Sequence, residues 1–106
     1  MTRAILAVLV LVATASGAAL AYQTAARQRD YRTLLRRGDA ALADDQTFGA
    51  IEAYSGAIAL RPDAMLAYLR RGEMYQRRGD RGDLDAASKD FRKASSLDPT
   101  DRKSVV

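Results

Sequence analysis

The chain of 106 residues contains no cysteine, no histidine and no tryptophan, and it has only two prolines. Without cysteine and histidine there is no thiolate nucleophile, no imidazole base, no disulfide framework and no zinc site of the usual kind. The length limits the chain to one small domain, because domains usually need on the order of 100 residues. These absences argue against an enzyme, and the sequence predicts no catalytic residue, no cofactor and no metal ligand.

Alanine and arginine dominate what is present. Alanine occurs 21 times, and arginine supplies 14 of the 17 basic residues. Both are good helix formers, so the composition predicts an all-α fold. Such heavy use of these two residues is also typical of a bacterial protein.

An uncharged run of 19 residues, AILAVLVLVATASGAALAY, extends from Ala4 to Tyr22. As a helix it would be about 28 Å long, close to the hydrocarbon thickness of a bilayer. It is apolar on every side, which argues against a buried helix of a soluble domain. We therefore assign residues 1–22 to a signal peptide or a transmembrane anchor that contacts the membrane through residues 4–22.

The residues around this run favour two different outcomes. Arg3 and the A-x-A site at Ala19-Leu20-Ala21 are typical of a cleaved secretory signal. An Arg-rich linker at 23–30, with more arginines behind it, favours keeping the C-terminal side in the cytoplasm. The sequence thus predicts a membrane-associated protein of a bacterial inner membrane or periplasm, and it leaves cleavage and topology open.

Acidic and basic residues alternate over the rest of the chain. Residues 23–106 hold 16 basic and 13 acidic side chains, a net charge of +3. A nucleic-acid-binding module would concentrate lysine and arginine on one face, and the sequence shows no such stripe. We expect a mixed-charge surface and no nucleic-acid partner.

Two segments of the chain match each other in phase. At a separation of 34 residues, Leu34, Arg37 and Gly38 correspond to Tyr68, Arg71 and Gly72. At a separation of 37, Ala50, Tyr54, Ala57, Leu60 and Pro62 correspond to Ala87, Phe91, Ala94, Leu97 and Pro99. The three additional residues fall in the turn at 79–83, where a longer loop costs little closure entropy.

Each segment is predicted to form a helical hairpin. The first pairs helices at about 30–43 and 48–60, and the second pairs helices at about 63–78 and 83–97. Pro62 and Pro99 end the second helix of each pair, because proline cannot continue a helix. Asp63 and Asp83 are the predicted N-caps, since their side-chain oxygens can accept early backbone N–H groups.

This pattern resembles the tetratricopeptide repeat, a degenerate helix–turn–helix unit of about 34 residues. Residues 31–64 would form the first repeat and 65–101 the second, followed by a tail at 102–106. Arg37 and Arg71 depart from the family pattern, which has leucine there, and Ala41 stands in place of an aromatic residue. The resemblance implies an α-solenoid of tandem antiparallel helix pairs.

The resemblance also implies a protein-interaction scaffold that binds a peptide or a partner protein. In such arrays the first helices of successive repeats line a concave groove. The groove positions carried over to this chain are Leu35, Asp39, Leu42, Leu66, Leu69, Glu73, Gln76 and Arg77. Because Asp39 and Glu73 would repel a carboxylate, we expect a ligand with apolar anchors and a basic residue. The alternative is a structural fragment in which these are ordinary exposed helix residues without a specific ligand.

Other motifs have simpler structural interpretations. The tripeptide Arg-Gly-Asp occurs three times, beginning at Arg37, Arg78 and Arg81. The first copy lies inside a predicted helix and the others in a turn that needs glycine. We therefore predict no adhesion motif.

Two repeats are fewer than the three that helical arrays usually need to bury their faces. The apolar side of the second repeat, near Phe91 and Leu97, is predicted to lie open. A homo-oligomer, another chain that completes the array, or truncation of a longer repeat protein would each account for this.

Overall fold

The computed structural model describes residues 1–100, and these residues form four α-helices and no strand. The helices are α1 (Thr2–Ala43), α2 (Thr47–Leu60), α3 (Met65–Arg78) and α4 (Asp83–Leu97). The prediction of an all-α chain with a long apolar N-terminal helix is confirmed. The tail predicted at 102–106 lies outside the described residues.

The first helix is uninterrupted over 42 residues. The sequence predicted that a separate helix begins near Asp30, but residues 23–30 are helical as well. Between Ala21 and Asp30 there is neither proline nor glycine to stop the helix, and alanine, arginine and glutamine favour it. The apolar segment and the first helix of the first hairpin are therefore one continuous rod.

In the N-terminal part of α1, residues 1–25 are exposed. An 18-residue window of this helix has a mean hydropathy of 2.4 and none of it is buried. The segment is thus long and apolar enough to cross a membrane, a property that it shares with signal sequences. Both assignments of residues 1–22 remain predictions.

The other three helices pack in chain order. Helix α2 packs against both α1 and α3, and α3 packs in turn against α4. The core contains Tyr31 and Leu35 from α1, Ala50, Ile51, Tyr54 and Ala57 from α2, and Ala64, Ala67 and Met74 at the start and along the length of α3. The first hairpin is therefore covered by α3 on one side.

Both hairpins contain the same contact between a glycine and an aromatic ring. A Cβ atom at Gly38 would overlap the ring of Tyr54, and one at Gly72 would lie 2.8 Å from the ring of Phe91. Only glycine permits such a close approach of helix backbone to ring. These are residues that correspond in the sequence repeat, so the two hairpins pack in the same register.

Both predicted N-caps are wrong. Helix α3 begins at Met65 with Ala64 as its N-cap, which leaves Asp63 outside the helix. The N-cap of α4 is Gly82, and Asp83 is the first helical residue. The Asp83 carboxylate instead accepts hydrogen bonds from the Arg78 guanidinium at 2.7 and 2.9 Å. A nearby arginine is a stronger donor to this carboxylate than the backbone N–H groups of a helix start.

Candidate partner-binding surface

The eight predicted groove residues divide between the core and the surface. Leu35 belongs to the core, with 9% of its surface exposed, and Leu42 packs against that core. The residues from α3 lie further out, with Leu66, Glu73, Gln76 and Arg77 exposed and Leu69 half-buried. The exposed part of the predicted groove is therefore the outer face of α3.

Asp39, the remaining predicted residue, is engaged within the chain itself. Its Oδ1 atom accepts a hydrogen bond of 2.6 Å from the Tyr54 hydroxyl, and its Oδ2 atom pairs with the Arg70 guanidinium. Asp39 lies in α1, Tyr54 in α2 and Arg70 in α3, so the contact joins three helices at one point. The negative charge of Asp39 is compensated by Arg70 without any ligand.

The Tyr54 hydroxyl stays protonated at this junction of three helices. Its side chain has no exposed surface. Burial, followed by the hydrogen bond to Asp39, raises the pKa of Tyr54 well above its ordinary value of 10.0. The phenol therefore remains a hydrogen-bond donor at neutral pH, and it holds Asp39 toward α2 while Arg70 holds it toward α3.

A second ion pair, which was not predicted from the sequence, joins α3 to α4. The Nε and Nη2 atoms of Arg71 donate hydrogen bonds of 2.8 and 2.7 Å to Asp90, and Nη1 donates one of 3.2 Å to Ser55. Asp90 is only 4% exposed. The hydrogen bonds to Asp90 raise the pKa of Arg71. Arg71 therefore has a structural role, because it joins α3 to α4 and contacts α2.

The counterpart of Arg71 in the first hairpin is Arg37, and its surroundings differ. The position that corresponds to Asp90 is occupied by Ala53. Arg37 is exposed and lines a groove of about 470 Å³ on the outer side of α1 and α2, together with Glu52 and Ala53. Arginine at corresponding positions of the two hairpins thus forms an ion pair in the second hairpin and is exposed in the first.

A shallow groove of about 260 Å³ lies between α3 and α4. It is lined by Met65, Leu69, Phe91, Ala94, Ser95 and Asp98. Met65, Leu69 and Phe91 are half-buried, so they offer apolar surface that residues 1–100 cover only in part. The open apolar side was predicted near Phe91 and Leu97; Phe91 lines this groove, whereas Leu97 is half-buried and is not part of its lining.

No protein-family model matches the chain, and no curated protein or solved structure matches it at a significant level. The correspondence between the two hairpins therefore depends on the chain's own residues.

Proposed function

We propose that the protein is a membrane-associated or exported interaction module of the tetratricopeptide-repeat type, which binds a protein or peptide partner along the exposed face of α3, the first helix of its second hairpin. The observation that carries this proposal is the repeated register of the hairpins, in which Gly38 meets Tyr54 and Gly72 meets Phe91. Hairpins that repeat in register are the building principle of helical arrays, and such arrays bind proteins on the surface of their first helices.

The exposed face of α3 supplies the chemistry for a partner. Leu66, which is 37% exposed, offers an apolar contact, while Glu73, Gln76 and Arg77 offer polar and charged ones. Since Arg70 already neutralises Asp39, Glu73 is the carboxylate on this face that a basic residue of the ligand would meet. The ligand expected here has apolar side chains and a basic residue opposite Glu73.

The apolar part of α1 would determine where in the cell the hairpins are located. Residues 4–22 would place the hairpins at a membrane surface as an anchor, or direct them across the membrane as a signal. A bacterial inner membrane or periplasm is the proposed compartment. An interaction surface next to a membrane requires neither a cofactor nor a catalytic group.

Site-specific photo-crosslinking in cells of the source organism tests this proposal. A photoreactive amino acid at Gln76 should give a discrete crosslinked product, and the same amino acid at the exposed Arg92 of α4 should not. Replacement of Leu66 by Asp should abolish the product from position 76, because it removes the apolar contact. The same products from positions 76 and 92, or no product from position 76, would overturn the proposal.

A further inference from the structure

Helix α3 shows what kind of helix packs against a hairpin of this chain. At and just after its start it presents Ala64 and Ala67, which are 9% and 0% exposed, and further along it presents Met74, which is 2% exposed. Small side chains near its start allow its axis to approach the first hairpin closely. Arg70 adds a charged contact with Asp39, which sets the register of α3 on that hairpin.

The residues that receive α3 have counterparts in the second hairpin. Tyr31, Leu35, Tyr54 and Ala57 of the first hairpin correspond to Met65, Leu69, Phe91 and Ala94 of the second. The first set lies in the core, with at most 9% of any residue exposed. The second set lines the open groove between α3 and α4. The positions correspond, but among residues 1–100 a helix packs on the first set and none packs on the second.

The charge of the receiving surface is repeated as well. Glu73 corresponds to Asp39, the acceptor for Arg70. Glu73 is exposed, and within residues 1–100 it takes part in none of the ion pairs. The second hairpin thus presents an apolar groove beside a carboxylate, where the first hairpin binds a helix and its arginine.

We propose that the groove between α3 and α4 binds an amphipathic helix of a partner protein with the chemistry of α3. That helix has small residues at the positions of Ala64 and Ala67, and an arginine at the position of Arg70 that pairs with Glu73. The inference rests on the proposed function, since it specifies the class of partner for an interaction module. It extends the contact surface from the exposed face of α3, past Glu73, into the groove beside α4.

A second copy of this chain fits the groove less well. The residues of α1 that correspond to Ala64 and Ala67 are Asp30 and Thr33. A copy docked through α1 would bring the carboxylate of Asp30 to a groove that Asp98 already lines. Like charges at such a contact are unfavourable, so the small residues of a partner helix suit the groove better.

A peptide of residues 64–78, which is α3 itself, is the probe for this proposal. We expect saturable binding of the labelled peptide to the full-length protein in nanodiscs of uncharged lipid, measured by fluorescence anisotropy. Glu73→Arg in the protein should weaken binding about tenfold, and so should Arg70→Glu in the peptide. Combining the two changes should restore binding, because the exchanged charges attract again.

Two further variants show where the peptide binds. Leu69→Gln places an amide in the groove and should weaken binding, whereas Leu84→Gln alters a leucine of α4 that is 66% exposed and outside the groove lining. Leu84→Gln should leave binding unchanged. No binding, equal effects of the two leucine variants, or no recovery with the exchanged charges would overturn the groove proposal. A crosslinked product from position 76 obtained despite such a result would leave the proposed function standing.

Discussion

At the scale of single residues, the absence of a side chain determines how closely the helices approach. Gly38 and Gly72 each face an aromatic ring of the second helix in their hairpin. The ring opposite Gly38 belongs to Tyr54, which is fully buried and donates a hydrogen bond to Asp39. Because that hydrogen bond and the surrounding core hold the ring, it has no room to move away from a larger residue.

Replacing this glycine should therefore destabilise the fold. Gly38→Ala places a methyl group against Tyr54, and we expect a loss of about 1–3 kcal/mol in the free energy of unfolding, the usual cost of overpacking a core. Urea unfolding followed by circular dichroism at the helix band is the measurement.

The matched control is a glycine with room beside it. A Cβ atom at Gly49 would lie 3.6 Å from the Cβ of Ala41, an ordinary contact. Gly49→Ala should stabilise the protein by about 0.5 kcal/mol, since alanine is the better helix former. If the two variants changed stability in the same direction, the proposed role of the Gly38 contact would be wrong.

The ion pair of Arg71 and Asp90 could not be predicted from either residue alone. Each residue by itself is typical of a solvated helix face, and no neighbouring residue indicates that Asp90 is buried. Their meeting follows from the hairpin register, because Arg71 precedes Gly72 and Asp90 precedes Phe91. The repeat alignment gives these positions, but the contact between the two side chains is seen only when the helices are packed together.

At the scale of helices and turns, the helix ends were predictable from local stop signals, whereas the start of α1 was not. Pro62 and the glycines of the turn at 79–83 marked the ends of α2 and α3 correctly, and the predicted span of α4 agrees with its observed one. The start of α1 was missed because no residue marks a boundary within a continuous helix. Asp83 was assigned to the wrong partner because Arg78, which captures it, lies across the turn.

The turn between α3 and α4 should make stability depend on pH. Hydrogen bonds from Arg78, outweighing the effect of burial, lower the pKa of Asp83 below its ordinary value of 3.8. A depressed folded-state pKa means that the ionised carboxylate stabilises the fold above pH 3.8. This stabilisation is lost as the pH falls through the folded-state pKa.

Melting temperatures at pH 7 and at acid pH test this expectation. The melting temperature should fall less between pH 7 and acid pH in Asp83→Asn than in the unmodified protein, because the variant has no charge to lose at that position. Arg78→Ala should reduce the decrease in the same way, since it removes the donor. An unchanged decrease in both variants would contradict the role assigned to this ion pair.

At the scale of the whole molecule, the chain has two parts with different surroundings. Residues 1–25 of α1 are exposed throughout, and large apolar side chains such as Leu9 and Leu11 are 59% and 68% exposed. The remaining described residues form the packed hairpins. An exposed apolar helix of this length is a property that membrane anchors and signal sequences share.

Charges placed in the apolar part should therefore change where the protein is found. Leu9→Arg combined with Val12→Arg should shift the protein from the membrane to the soluble fraction, because each central arginine costs about 2.5–3.5 kcal/mol in a membrane helix. Leu84→Arg in α4 is the matched control and should leave the distribution unchanged. Retention of the double variant in the membrane fraction would contradict the assignment. N-terminal sequencing of the unmodified protein distinguishes an anchor, which begins at residue 1 or 2, from a signal cleaved before Tyr22.

The continuous helix α1 fixes an angle as well as a length. Each residue between Tyr22 and Tyr31 contributes a rotation of about 100° and a rise of about 1.5 Å. Deleting one residue there would turn the hairpins by about 100° around the axis of the apolar segment while hardly changing their height above it. The number of residues in this stretch thus sets the azimuth at which Glu73 and its neighbours face the surroundings of the N-terminal helix.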